Sequence, residues 1–258
     1  ALAGASLVGT LGMGPAYVAV CAFYAVSLML TLGVAGGGKA HARPEAMTAR
    51  ASPLRDLRDG FAYIWSTPPL RAVMYLAFLV NLTAYPLSGA LLAHVAKDIY
   101  HLDQRGLGWL LASFATGALA GSIGLSMLGG AIRPARVMLV WGTLWFIATI
   151  AFAHAGGPVL GCAILLFAGL AQNLCMVPMA VTLLRVVPAG LRGCVMGVRM
   201  LAVYGYPVGL LAAGPLVERF GFATTASAYC AVGLVFLLVI AMRWRRELWR
   251  PDAAANTG

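Results

Sequence analysis

The sequence predicts an all-α integral membrane protein, and three observations carry that reading. Of 258 residues, 61% are hydrophobic and only 10% are charged, whereas a soluble domain carries about 25% charged residues. Mean hydropathy is +0.87. The apolar residues are gathered into seven long runs separated by short basic or Gly/Pro-rich turns, and the runs are close to the ~20 residues a helix needs to cross hydrocarbon.

The net charge of +10 would suit a nucleic-acid surface, but a soluble basic face does not come with this much apolar sequence. No nucleic-acid partner is expected. The charge reads instead as topology, with the lipid bilayer as the partner. Cys21, Cys162, Cys175, Cys194 and Cys230 are odd in number and include no CxxC pair. They read as small apolar side chains, not as disulfides or metal ligands.

The elements follow in order. Residues 1–12 (ALAGASLVGTLG) are apolar but too short to cross. They read as the tail of a transmembrane helix that begins upstream, so the N-terminal half of the same polypeptide is expected to be missing. Gly14-Pro15 marks a turn and residues 16–35 a full span. Residues 36–68 read as a cytoplasmic linker. Within it Ser52 caps and Pro53 opens a helix, with Leu54, Leu57, Phe61 and Ile64 on one face and Arg55, Asp56, Arg58 and Asp59 on the other. Tyr63 and Trp65 suit the headgroup level. An amphipathic helix lying on the membrane surface is expected, and the competing reading is an aqueous extension of the next span.

Six spans then fill residues 69–243, at about 69–96, 106–128, 137–155, 159–184, 194–216 and 222–242. Pro86 predicts a kink in the first. Gly117 and Gly121 in the second, and Gly205 and Gly209 in the fifth, make small-residue faces for close helix contact. Residues 244–258 form a basic tail. The linker, the turns at 129–136 and 185–193 and the tail hold most of the Lys and Arg, against Lys97, Arg105 and Arg219 on the opposite side. This alternation predicts a multi-pass protein of the cell membrane with its C-terminus in the cytoplasm.

Polar groups inside hydrocarbon are costly, so where they occur is informative. Asn81, Tyr85, Gln172, Asn173, Arg199 and Tyr204 lie within spans and are the candidate substrate-binding residues. Tyr206, Ser113 and Thr116 add to the polar interior. The spans at 137–155 and 222–242 have no ionisable residue inside and are expected to face lipid. The competing readings are interhelical hydrogen bonding for the amides, packing for the tyrosines, and snorkelling for Arg199. His94, Asp98 and His101 read as a solvated helix end, so no metal is expected. The sequence has no GK[ST] phosphate loop, HExxH or GxSxG. It predicts neither an enzyme nor a cofactor.

Several stretches resemble a known family. VVPAGLRGCVMGV (186–198) and AAGPLVERFG (212–221) resemble the turn before helix 11, and its end, in major facilitator superfamily transporters. LRDLRDGFAYIWSTPPLRAVMYLAFLVNL (54–82) and VAKDIYHLDQRGLGWLLASFATGALAGS (95–122) resemble the central loop with helix 7, and helix 8, of the branch related to the enterobactin exporter and multidrug efflux proteins. The chain departs from that branch in its short RGC (192–194), in Arg185 where Gln is usual, and in lacking an acid at 129–136. The resemblance implies residues 1–35 as the end of an N-terminal domain and 69–243 as a six-helix C-terminal domain. It also implies alternating access, a small amphipathic substrate of drug or siderophore type, and antiport driven by a proton gradient. A transport-inactive membrane assembly protein retaining the fold is the alternative.

Overall fold

The computed structural model describes residues 13–37, 53–128 and 134–245. Residues 1–12, most of the linker and most of the tail, about which the sequence makes its own expectations, lie outside this set. All regular structure among the described residues is helical.

Helix α1 runs Met13–Gly37. Pro15 therefore stands inside the first turn and does not end a loop, as Gly14-Pro15 suggested. A first-turn proline removes only an N–H that has no intrahelical partner anyway. Helix α2 covers Pro53–Ser66. Thr67 is extended, with φ −108° and ψ 102°, because the ring of Pro68 excludes the helical conformation from the residue before it. The amphipathic helix is thus separate from the span that follows and is not its aqueous extension.

Helix α3 occupies Pro68–Ser88, with Pro86 inside it. The break comes three residues later, at Gly89–Leu91, where the Leu91 N–H donates to the Pro86 carbonyl at 3.1 Å. A short turn at Leu92–His94 and a π-turn at Val95–Ile99 complete the crossing. Then come α4 (Gln104–Leu128), α5 (Pro134–Ala153) and α6 (Pro158–Val186). The stretch read as one span at 194–216 is two helices, α7 (Arg192–Val203) and α8 (Gly205–Phe220), joined at Tyr204. Pro207 explains the joint: it has no N–H for the carbonyl of Val203, and its ring crowds that carbonyl. Helix α9 (Phe222–Arg243) follows Gly221, whose φ of +80° suits glycine.

Six segments are long and apolar enough to cross a membrane: Pro68–Ile99, Gln104–Met127, Pro134–Ala153, Pro158–Val186, Arg192–Phe220 and Phe222–Arg243. They pack as two groups. Helix α3 gathers α7, α8 and α9; α6 gathers α4 and α5; and α3–α6, α3–α5 and α5–α9 contacts join the groups. The buried centre includes Leu76, Trp145, Phe146, Phe152 and Met179.

Close packing depends on missing side chains. A Cβ on Gly117 of α4 would overlap the Leu166 carbonyl of α6, and one on Gly169 of α6 would overlap the Phe114 carbonyl of α4. The two backbones are in mutual contact. Gly209 of α8 meets the Leu82 carbonyl of α3 in the same way. Van der Waals contact of this kind is a main source of helix association in lipid, where apolar side chains gain little by leaving the solvent.

Most hydroxyl groups within the spans are satisfied locally, although the buried Thr225 hydroxyl has no partner. Thr83, Ser88, Ser113, Thr116, Thr149 and Thr182 each donate to the carbonyl four residues earlier. One expectation fails here. Helix α5, read as lipid-facing from its apolar interior, buries 44% of an 18-residue apolar stretch, against 22% for α4. Apolarity alone does not separate a face that packs on protein from one that packs on lipid, and α5 turns Met138, Trp145, Phe146 and Phe152 inward.

Candidate functional site

Three polar stripes converge. On α3, Ala77, Asn81 and Tyr85 recur every four residues and so share a face, with Gly89 one turn further. On α6, Gln172, Met176 and Met179 share another face. On α7, Arg199 and Val203 lie one turn apart, and the joint at Tyr204 brings Tyr206 of α8 in beside them. Ala77, Asn81, Tyr85, Gly89, Met176, Met179, Arg199, Val203 and Tyr206 line a single cavity of about 450 Å³.

Behind this wall Gln172 Nε2 donates to the Tyr85 hydroxyl at 2.5 Å. That bond links α6 to α3 and fixes the phenol. The Tyr85 ring meets Trp145 edge-on at 5.3 Å and Tyr206 at 6.3 Å, both favourable aromatic geometries. Asn81 is buried and its Nδ2 donates to the Ala77 carbonyl at 2.8 Å, within its own helix. Its carbonyl oxygen has no bond across helices in the described set. Arg199 is half-buried. Among the described residues no carboxylate is in salt-bridge contact with Arg199.

The six residues picked from the sequence therefore divide. Asn81, Tyr85 and Arg199 line the cavity and Gln172 supports it. Asn173 does not join them. One position along a helix is about 100° of rotation, which turns Asn173 toward α4, where its Cβ is 3.2 Å from the place a Gly121 Cβ would occupy. Its Oδ1 is buried without a partner. Tyr204, at the α7–α8 joint, is 68% exposed and lies outside the lining. Tyr206, noted in the sequence only as part of the polar interior, belongs to the lining, and so do Met176 and Met179. The spacing of the two methionines, four and seven residues after Gln172, was the available signal.

A second groove, of about 500 Å³, lies between α3, α8 and α9 and includes Leu82, Leu216, Phe220, Thr225 and Tyr229. It contains no charged side chain. Of these two, the smaller cavity is the one that carries a cation, an amide, two phenols and two thioethers. Nothing in it resembles a nucleophile with a base. Among the described residues no group of three His, Cys, Asp or Glu is placed to hold a metal ion.

Six apolar helical segments of membrane-spanning length, packed against one another, define a multi-pass α-helical membrane protein. The chain is similar to the multidrug efflux pump Tap of Mycobacterium bovis and of Mycobacterium tuberculosis, 28% identical over 244 residues, covering 90% of this chain and 55% of theirs. It is also 28% identical over 224 residues to the pump Tap of Mycolicibacterium fortuitum, covering 85% of this chain and 51% of that one. The chain thus spans about half the length of the curated relatives it matches. The efflux-transporter resemblance read from the sequence agrees with these relatives. No family model matches the chain, and no solved structure matches it significantly.

Proposed function

We propose that the chain forms the C-terminal six-helix domain of a secondary efflux transporter for small amphipathic molecules. In this reading residues 1–35 end a first domain, 36–68 link the two, and 69–243 rock against the first domain to expose a midplane site to each side in turn. The cavity lined by Asn81, Tyr85, Arg199 and Tyr206, and held by Gln172, is this domain's face of the substrate path. One observation carries the reading: costly polar groups from α3, α6 and α7–α8 meet at one place. The relatives' name, multidrug efflux pump, supports export over import.

A proton gradient is the proposed energy source, and the cell membrane the proposed location, with the C-terminus in the cytoplasm. Among the described residues no acid lies in the middle of a span: Asp98 and Glu218 stand one and two residues from the ends of theirs, Asp103 lies between spans, and Asp56 and Asp59 belong to α2. The proton-binding group of an antiporter would therefore belong to another part of the polypeptide.

The test is transport by the full-length protein in everted vesicles, using a panel of anionic, neutral and cationic amphipathic dyes with and without an imposed proton gradient. Gradient-dependent uptake of any panel member is expected. Arg199→Gln should lower flux of the anionic members more than that of the neutral ones. Absence of gradient-dependent flux for every compound counts against the reading, and equal loss for both charge classes removes Arg199 from the site.

A further inference from the structure

A line of aromatic rings crosses three helices at the end of the bundle where α2 docks. Phe61 and Trp65 of α2 stack at 5.0 Å with 18° between planes. Trp65 meets Tyr75 of α3 edge-on at 6.1 Å. Tyr75 meets Trp244, just past α9, at 5.9 Å. The first three rings remain about half exposed, at 48%, 50% and 42%. Such a line in water would be an apolar patch with no cover, but at the level of lipid headgroups Trp and Tyr are in their preferred setting.

Arginines flank the line. Arg243 places its guanidinium 5.7 Å from the Trp244 ring. Arg71 lies one turn before Tyr75 on the same face of α3, and its Nε is buried without a hydrogen-bond partner. Arg58 precedes Phe61 by three residues and Arg245 follows Trp244; both are exposed. Asp59 is off the Phe61–Trp65 stripe, since it is neither three nor four residues from Phe61 or Trp65. The patch therefore combines aromatic surface with guanidinium groups that have no carboxylate partner among the described residues, and guanidinium is the side chain best suited to phosphate.

The geometry points to a binding site for one anionic glycerophospholipid, with its phosphate between Arg71 and Arg243 and its glycerol and upper chains on Trp65, Tyr75 and Trp244. The charge of the patch selects the occupant: a zwitterionic lipid brings an ammonium group into a site that already holds cations. The site lies apart from the central cavity and does not depend on what the cavity carries.

The experiment uses the full-length protein in detergent with phosphatidylcholine, titrated with phosphatidylglycerol and read by native mass spectrometry of retained lipid. The wild type is expected to retain phosphatidylglycerol over phosphatidylcholine. The double variant Arg71→Gln/Arg243→Gln is expected to lower that preference by about thirtyfold, from the loss of two cations. The double variant Arg71→Lys/Arg243→Lys should keep most of it. Trp65→Leu should weaken retention of both lipids, since it keeps the charges and removes ring surface. No headgroup preference in the wild type overturns the proposal, and this needs no variant to fold. An undiminished preference in the glutamine variant overturns the location. Displacement of phosphatidylglycerol by equimolar glycerol phosphate would show a soluble anion site and overturn the lipid assignment.

Discussion

Tyr85 shows how one side chain can serve both the bundle and its cavity. Its hydroxyl accepts from Gln172 while its ring edge meets Trp145 and Tyr206. A Tyr85→Phe/Gln172→Leu double-mutant cycle on thermal unfolding in detergent should give a coupling of about 0.6 kcal/mol, and no more than about 1.7. Zero coupling would mean the bond is not made in solution. Tyr100 makes a second prediction, at the bundle's edge. Its hydroxyl donates to the Ala155 carbonyl at 3.2 Å, and burial raises its pKa above the ordinary 10.0. Below pH 10 the folded and unfolded states both hold the neutral phenol, and its contribution to stability is complete. Above that value the unfolded state ionises first, so stability falls as pH rises through the folded value. Tyr100→Phe should reduce this alkaline loss, measured as the shift in unfolding midpoint between pH 9 and pH 11. At this scale the sequence was legible where a polar atom sat in hydrocarbon: Asn81, Tyr85 and Arg199 are conspicuous for that reason. It was not legible where helical phase decides, which is why adjacent Gln172 and Asn173 looked equivalent but face different helices.

Among the elements, hydropathy found every long span, because bilayer width sets a coarse and strong period. What it left open was how each helix is interrupted and which side it buries. The joint at Tyr204 depends on Pro207 and on the room made by Gly205 and Gly209 against α3. The inward turn of α5 depends on partners that hydropathy does not see. Gly209→Val should cost about 1–3 kcal/mol, the usual range for overpacking, and lower the unfolding temperature; an unchanged value would show that α8 does not approach α3 so closely. Helix α2 gives a separate test. A Cβ on Gly60 would stand 2.8 Å from the Cys194 carbonyl group, and Ile64 is 2% exposed, so α2 rests on α7 as well as on any membrane surface. Gly60→Leu should lift it, seen as faster amide hydrogen exchange across Pro53–Ser66 with little change in α6. Equal exchange across Pro53–Ser66 in this variant and the wild type would separate α2 from α7.

For the molecule as a whole, the charge asymmetry predicts an orientation that chemistry can read from either face. With native cysteines replaced, a cysteine at position 101 should react with a membrane-impermeant maleimide on intact cells. One at position 190 should react only after permeabilisation, and the reverse pattern would invert the topology. The length of α6 carries a consequence for the membrane itself. Its 29 residues extend about 43 Å, while the 20 residues of its neighbour α5 extend about 30 Å, close to the hydrocarbon thickness of a typical bilayer. The two are packed side by side, so no common tilt suits both. Tilting α6 to fit would take about 45°, more than spanning helices show, and its ends must project. A thicker bilayer would cover those ends at little cost but would draw Arg136 and His154, at the limits of α5, into hydrocarbon. The host membrane's chain length thus becomes a condition on this bundle, with short-chain lipids tolerated and long-chain lipids placing the strain on α5.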